Sequence, residues 1–171
     1  MDAEVAIRQF SADEWPSYRA LRLAALADAP DSFGSTFERE NAQPDAHWAS
    51  RLAGGVASPG EFPVCAVIDA RPVGLAWGRI DGSHPGIAEL FQMWVSPAVR
   101  RRGVARKLVD AVIAWSRECG AASLRLSVTV DHAPAVRLYS SVGFQADGAP
   151  EPIRPGSRVL AQPMTLVLRR S

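Results

Sequence analysis

The sequence predicts a mixed α/β (α+β) fold, and three observations point to it. Several short stretches alternate apolar and polar residues, as half-buried strands do, while others repeat apolar residues every three or four positions, as helices do. The two kinds follow one another as strand, two helices, three strands, helix, strand, helix and two strands. At the centre, residues 89–118 read as a strand, a Ser96-Pro97 break, an arginine-rich turn and a long amphipathic helix. The chain of 171 residues fits one domain, 1–171, which would bury roughly 70% of its unfolded surface.

Taken in order, Val5-Ala6-Ile7-Arg8-Gln9-Phe10 alternates as a first strand, and Ser11-Ala12-Asp13-Glu14 offers a helix start. The helix that follows places Trp15, Tyr18, Leu21, Arg22, Ala25 and Leu26 on one side and ends near Pro30, which restricts the residue before it. Residues 31–40 carry two aromatics in a polar, glycine-containing context and read as a loop or frayed helix. Residues 44–52 read as a short helix and 54–61 as an exposed Gly/Ser/Pro loop. Residues 63–69 and 73–80 form a hairpin turned by Ala70-Arg71-Pro72, and 81–86 turn into the central strand at about Ile87. The long helix aligns Val104, Leu108, Ala111, Val112 and Trp115 on one face and stops at Gly120. Residues 123–130 alternate as a strand, 134–141 form a short helix, and 143–146 start another strand. Residues 150–157 are irregular and 158–168 close with a last strand.

The turn Arg100-Arg101-Arg102-Gly103-Val104-Ala105 carries the clearest functional signal. The first N–H groups of a helix have no internal partner, and the helix dipole favours an anion there. Gly103 lets backbone approach such an anion without a Cβ in the way, and an arginine or two can clamp a phosphate bidentately. Arg100-x-x-Gly103-x-Ala105 after an apolar strand resembles the pyrophosphate loop of the GNAT superfamily of N-acetyltransferases. Downstream, Ala135-x-x-Leu138-Tyr139-x-x-x-Gly143-Phe144 is similar to a second segment of that superfamily. Together the two cover roughly residues 89–144. The resemblance implies a mostly antiparallel central sheet with splayed strands and flanking helices, acetyl-CoA as the cofactor, and no metal. It implies that Met93, Trp94 and Val95 border the pantetheine arm and that Arg100, Arg101, Arg102, Gly103, Val104 and Ala105 hold the diphosphate. His132 stands where the superfamily often has asparagine and could keep the cofactor contact by donating a hydrogen bond, with Asp131 taking over the helix cap.

Acidities define the catalytic groups needed. Freeing the lone pair of an alkylamine of pKa near ~10.4 at pH 7 costs about 4–5 kcal/mol, against about 1 for an α-amino group. Glu89, six residues before Val95, stands where the histone-acetylating branch of the superfamily has its general base, so the resemblance makes it the candidate base. The even separation puts it on the same face of a regular strand as Phe91, Met93 and Val95. The other reading of Glu89 is a solvated or salt-bridged residue at a strand start, with Gln92 and His84 as alternative water-positioning groups. Tyr139 occupies the position of the superfamily's general acid, opposite a thiolate of pKa about 8.5. As a purely structural residue it would instead pack its ring and hydrogen-bond its hydroxyl. In this fold the loop joining the first two helices borders the acceptor site, so Phe33, Gly34, Phe37 and Trp48 are candidates to shape a pocket for the substrate.

The expected activity is transfer of an acetyl group from acetyl-CoA to a primary amine of a small molecule by direct attack. Protein N-terminal or lysine acetylation, and a non-catalytic acyl-CoA sensor, are the alternatives. A net charge of +1, with Lys107 the one lysine, gives no reason to expect nucleic acid or an anionic membrane as partner. Cys65 and Cys119 lack metal-ligand spacing and read as two reduced thiols. The acidic start of the chain does not read as a signal peptide, and no apolar run nears the ~20 residues of a membrane span. A cytoplasmic protein is expected, with a homodimer a further possibility.

Overall fold

The computed structural model describes residues 3–168. Its strands are β1 (Ala6–Gln9), β2 (Glu61–Ile68), β3 (Arg71–Ile80), β4 (Ile87–Val95), β5 (Ser123–Thr129), β6 (Gln145–Ala146), β7 (Glu151–Pro152) and β8 (Leu160–Val167). The helices are α1 (Trp15–Asp28), α2 (Phe37–Asn41), α3 (Asp45–Ala57), α4 (Val104–Glu118) and α5 (Ala133–Val142). All strands join one sheet in the order β1-β2-β3-β4-β5-β8-β6, with β7 also pairing β8. The β4–β5 contact is parallel and the other pairings are antiparallel. This is the mixed sheet that the element order predicts, mostly antiparallel and with flanking helices as the resemblance implies.

Alternation along the central strands sends side chains to two cores. Val64, Ala66, Ala76, Leu90 and Val95 meet Leu108, Val109 and Val112 of α4 and Tyr139 of α5. Cys65, Val67, Leu75, Trp77 and Trp94 meet Tyr18, Leu26, Trp48 and Leu52 of α1 and α3 on the other face. The stripe of α4 is wider than its apolar spacing suggested: Val109, Ile113 and Ser116 are buried too, the last donating from Oγ to the carbonyl of Val112.

Three local readings need correction. The β2–β3 turn is Asp69-Ala70, both with positive φ as a two-residue hairpin turn requires, so Arg71 and Pro72 already belong to β3. Residues 54–57 are not loop but the last turn of α3. The glycines there serve packing: a Cβ on Gly55 would lie 2.4 Å from Cζ2 of Trp77, whereas one on Gly54 would meet nothing within 4 Å.

The third correction concerns β4. Leu75 pairs with Trp94 but Trp77 pairs with Phe91, so Gln92 and Met93 together stand opposite Ala76. This is a β-bulge, with Gln92 in the left-handed region at φ 55°. Beyond it the alternation inverts. Phe91 and Trp94 face α1 and α3, while Leu90, Met93 and Val95 face α4. Glu89 therefore shares a face with Phe91 but not with Met93 or Val95.

The two α3 glycines should separate by stability. Gly54→Ala is expected to stabilise the protein by about 0.5–1 kcal/mol, through lower unfolded-chain entropy and better helix propensity. Gly55→Ala is expected to destabilise it by about 1–3 kcal/mol through overpacking on Trp77. Urea unfolding of both variants beside the parent checks the opposite signs.

Candidate active site

The parallel pairing of β4 and β5 covers only Ile87–Glu89 against Ser123–Arg125. Beyond it β5 stays zipped to β8 as far as Thr129, and β4 follows β3 through the bulge. The two strands part, and a cavity of about 990 Å³ opens between them. Residues 90–95 and 126–129 form its sides, and it reaches the turn before α4, the start of α5 and the loop after α1.

At one end lies the N-terminus of α4. Gly103 caps it in the left-handed region at φ 74°, and Arg101 is also left-handed at φ 64°. The N–H of Lys107 is satisfied by the carbonyl of Gly103, whereas those of Val104, Ala105 and Arg106 have no backbone acceptor among the described residues. The three arginines divide. Arg100 donates from Nη2 to Asp28 at 2.6 Å and from Nε to the carbonyl of Val95 at 3.1 Å. Asp28 also accepts from Nε1 of Trp94 at 3.0 Å, and these donors hold its carboxyl below the ordinary range. Arg102 turns away to the carbonyl of Ala3 and does not line the cavity. Arg101 and Ala105 line it, and Val104 is a core residue.

The start of α5 forms the neighbouring wall. His132 caps this helix itself, its Nδ1 accepting from the N–H of Ala135 at 3.2 Å, so Asp131 does not take the cap. With Nδ1 an acceptor, the neutral ring carries its proton on Nε2. Tyr139 is 7% exposed, lies edge-on to Phe144, and lines the cavity. Its hydroxyl has no hydrogen-bond partner among the described residues, and burial pushes its pKa up to about 12.

On the opposite face of the sheet, Glu89 pairs with Arg79 at 2.6 Å at the cavity wall, and the Arg79 guanidinium lies 4.9 Å from the ring of Phe91. Phe33 and Gly34 also line the cavity. Their loop is fastened from two directions: Thr129 donates to the carbonyl of Asp31 at 2.6 Å, and Arg154 donates to that of Phe33 at 2.9 Å. Phe37 and Trp48 are not in the wall. Trp48 is buried against Tyr18 in the core, and Phe37 packs beside the same cluster. Their aromatic character signalled burial.

The model of the Acetyltransferase (GNAT) family matches residues 13–144. The chain belongs to this family. A mycothiol acetyltransferase from Pseudarthrobacter chlorophenolicus is 27% identical over 144 residues, 82% of this chain and 42% of that protein. The chain thus spans about two fifths of the length of such curated relatives. A GCN5-related N-acetyltransferase from Kribbella flavida superposes with a TM-score of 0.79 at 23% identity, covering 96% of this chain and 98% of that one. A putative acetyltransferase from Salmonella typhimurium, solved with acetyl-CoA, gives a TM-score of 0.79 at 18% identity, covering 98% and 95%. These likenesses show the GNAT fold.

Several residues of this GNAT chain's cavity were silent in the sequence. Arg22, Arg79, Arg125, Ser127 and Thr129 all line it. Alternation along β5 against the buried Leu124, Leu126 and Val128 could have placed the last three on one face. Arg22 sits within the apolar stripe of α1, where a helical pattern marks burial and not access. Among the described residues no helix is long and apolar enough to cross a membrane, and no group of three or more His, Cys, Asp or Glu is placed to hold a metal ion.

The bulge is held by the Tyr18 hydroxyl, which donates to Oε1 of the buried Gln92 at 2.7 Å and accepts from Nε of Arg51 at 3.2 Å. Tyr18→Phe leaves that amide oxygen buried without its donor. It is expected to lower stability by about 1–3 kcal/mol, measured by urea unfolding.

Proposed function

We propose that this protein transfers an acetyl group from acetyl-CoA to the primary amine of a small molecule. The observation that carries the proposal is the parting of β4 and β5 directly beside unpaired N–H groups at the start of α4. The residues present suit the cofactor. Arg100, Arg101 and Ala105 line the cavity beside the free N–H groups at the start of α4, a setting that suits a diphosphate, and Met93 and Val95 offer strand backbone beside it. Arg100 also lines the cavity and in addition fixes the end of β4 to α1 through Asp28. When bound, acetyl-CoA supplies the thioester carbonyl that the amine attacks directly, with a thiolate as leaving group.

The chain's own groups would handle the protons. Glu89 stands across the sheet from the α4 end, with one carboxylate oxygen on Arg79 and the cavity beside it. It would collect the amine proton through water, since Glu89 and the cofactor end of β4 lie on opposite faces. Tyr139 holds its proton on Oη at every pH below about 12. That value lies above the ~8.5 of a thiol in water, but the burial that raises the phenol also disfavours a thiolate in the same cavity, which narrows the gap. A neutral phenol with an unused hydroxyl is then the proton donor for the departing sulfur.

Tyr139→Phe is expected to lower kcat about 100-fold or more, with affinity for coenzyme A within about twofold. In the parent no falling alkaline limb should appear below about pH 11, because Tyr139 loses its proton only near 12. Glu89→Gln should move the rising limb of kcat/KM to higher pH, and an unchanged profile removes Glu89 as the base. Free-thiol release across pH 6–11 checks all three. Arg101→Ala should weaken coenzyme A binding about tenfold by calorimetry, while Arg102→Ala stays within twofold, since Arg102 is engaged with Ala3.

A further inference from the structure

The acceptor side of the cavity contains a guanidinium with one edge unused. Arg22 lies on α1 with its side chain 6% exposed. Glu40 takes the Nε/Nη2 edge with two parallel bonds, 3.1 Å from Nε and 2.8 Å from Nη2. Phe33 lies beneath, its ring centre 4.8 Å from Cζ. The guanidinium is therefore fixed in plane and direction. Its remaining nitrogen, Nη1, is buried and has no acceptor among the described residues. A buried cationic N–H without a partner is costly, and such atoms are otherwise met by a ligand or water. Arg22 and Phe33 both line the cavity, on the side of the sheet that carries Glu89.

The charges around it lean the same way. Arg22, Arg79 and Arg125 line this cavity, and Glu89 is its one lining carboxylate among the described residues. Glu40 offsets Arg22 and Glu89 offsets Arg79, while Arg125 has no ion-pair partner among the described residues. The acceptor half thus carries an uncompensated positive charge and a preformed end-on fork, the geometry that suits a carboxylate.

We propose that the acceptor amine carries a carboxylate, received on the Nη1 edge of Arg22 in a field that Arg125 keeps positive. This deepens the acetyltransferase reading and rests on it for the word acceptor, but the anion site itself does not. A polycationic amine such as spermidine is disfavoured by the same charges.

Two measurements on the whole chain separate the ideas. The first is calorimetric binding of N-acetyl-L-amino acids with small, aliphatic and aromatic side chains, each beside its neutral primary amide, to protein saturated with coenzyme A. The second is thiol release from acetyl-CoA with the parent amino acids, their amides and spermidine. At least one acid should bind about tenfold or more tightly than its amide, and the amino acid should be the better substrate by a similar factor. Arg22→Lys keeps a cation for Glu40 but has no second edge. It should lower the acid-to-amide ratio about 10- to 100-fold. Arg125→Gln, exposed on β5 and safe for folding, should lower the ratio about three- to tenfold, less so in high salt. Amides or spermidine binding and reacting as well as the acids would overturn the anion site and leave the transferase standing. So would variants that depress acid and amide alike. Acids bound selectively with no amine acetylated would support the anion site and overturn the transferase.

Discussion

The molecule depends on a failure of strand pairing. β5 is committed to β8 along its whole length, and β4 is committed to β3, so the two can share only three residue pairs before their partners draw them apart. The bulge at Gln92 makes the divergence stable. It places a non-glycine residue in the left-handed region, a conformation that persists only when the surroundings over-determine it. Tyr18, wedged among Phe10, Trp48 and Trp77, supplies that constraint by donating to Gln92. A core helix on one face thereby sets the opening of a cavity that passes through the sheet.

The same arrangement explains why one basic triplet does three jobs. The turn before α4 must end a strand, begin a helix and leave donors free, and three arginines of one type could not all face one ligand. Arg100 is drawn back by Asp28, which also holds Trp94, so the end of β4 and the end of α1 are tied at the cavity's edge. Arg102 leaves in the opposite direction to Ala3. Arg101, left-handed and without either partner, lines the cavity free of such ties, beside Arg100, which lines it while held by Asp28. The backbone conformation at this turn, more than the charge run itself, decides which arginine is available.

Local chemistry was legible in the sequence, and distant company was not. The strand–turn–helix unit, the Tyr139 helix with Gly143 ending it at φ 116°, and the fold class all follow from spacing and from residues with one dominant conformational use. The bulge left no mark because its left-handed residue is a glutamine, and without it Glu89 and Val95 appeared to share a face. Gly54-Gly55 read as loop because the reason for Gly55 is Trp77, which lies 22 residues away. In the sequence Phe37 and Trp48 group with the acceptor-side loop, but they lie beyond it on α2 and α3, where their rings pack into or against the core. Arg22 shows the converse, since a cation in an apolar stripe looks like packing until Glu40 and Phe33 are seen to orient it.

Cationic walls around the proposed amine site look at first like a contradiction, since an amine would arrive protonated. The physical effect runs the other way. An ammonium entering beside Arg79 and Arg125 is destabilised by like charge and by lost hydration, and both effects lower its pKa. Under the proposed function, part of the ~4–5 kcal/mol needed to free an alkylamine lone pair at pH 7 would then come from the site's field and not from a strong base. A carboxylate elsewhere on the same molecule would compensate the repulsion where it is bound, leaving the reacting nitrogen to feel the remainder. On this account Glu89, already engaged with Arg79, need only accept a proton that the surrounding guanidinium groups have loosened.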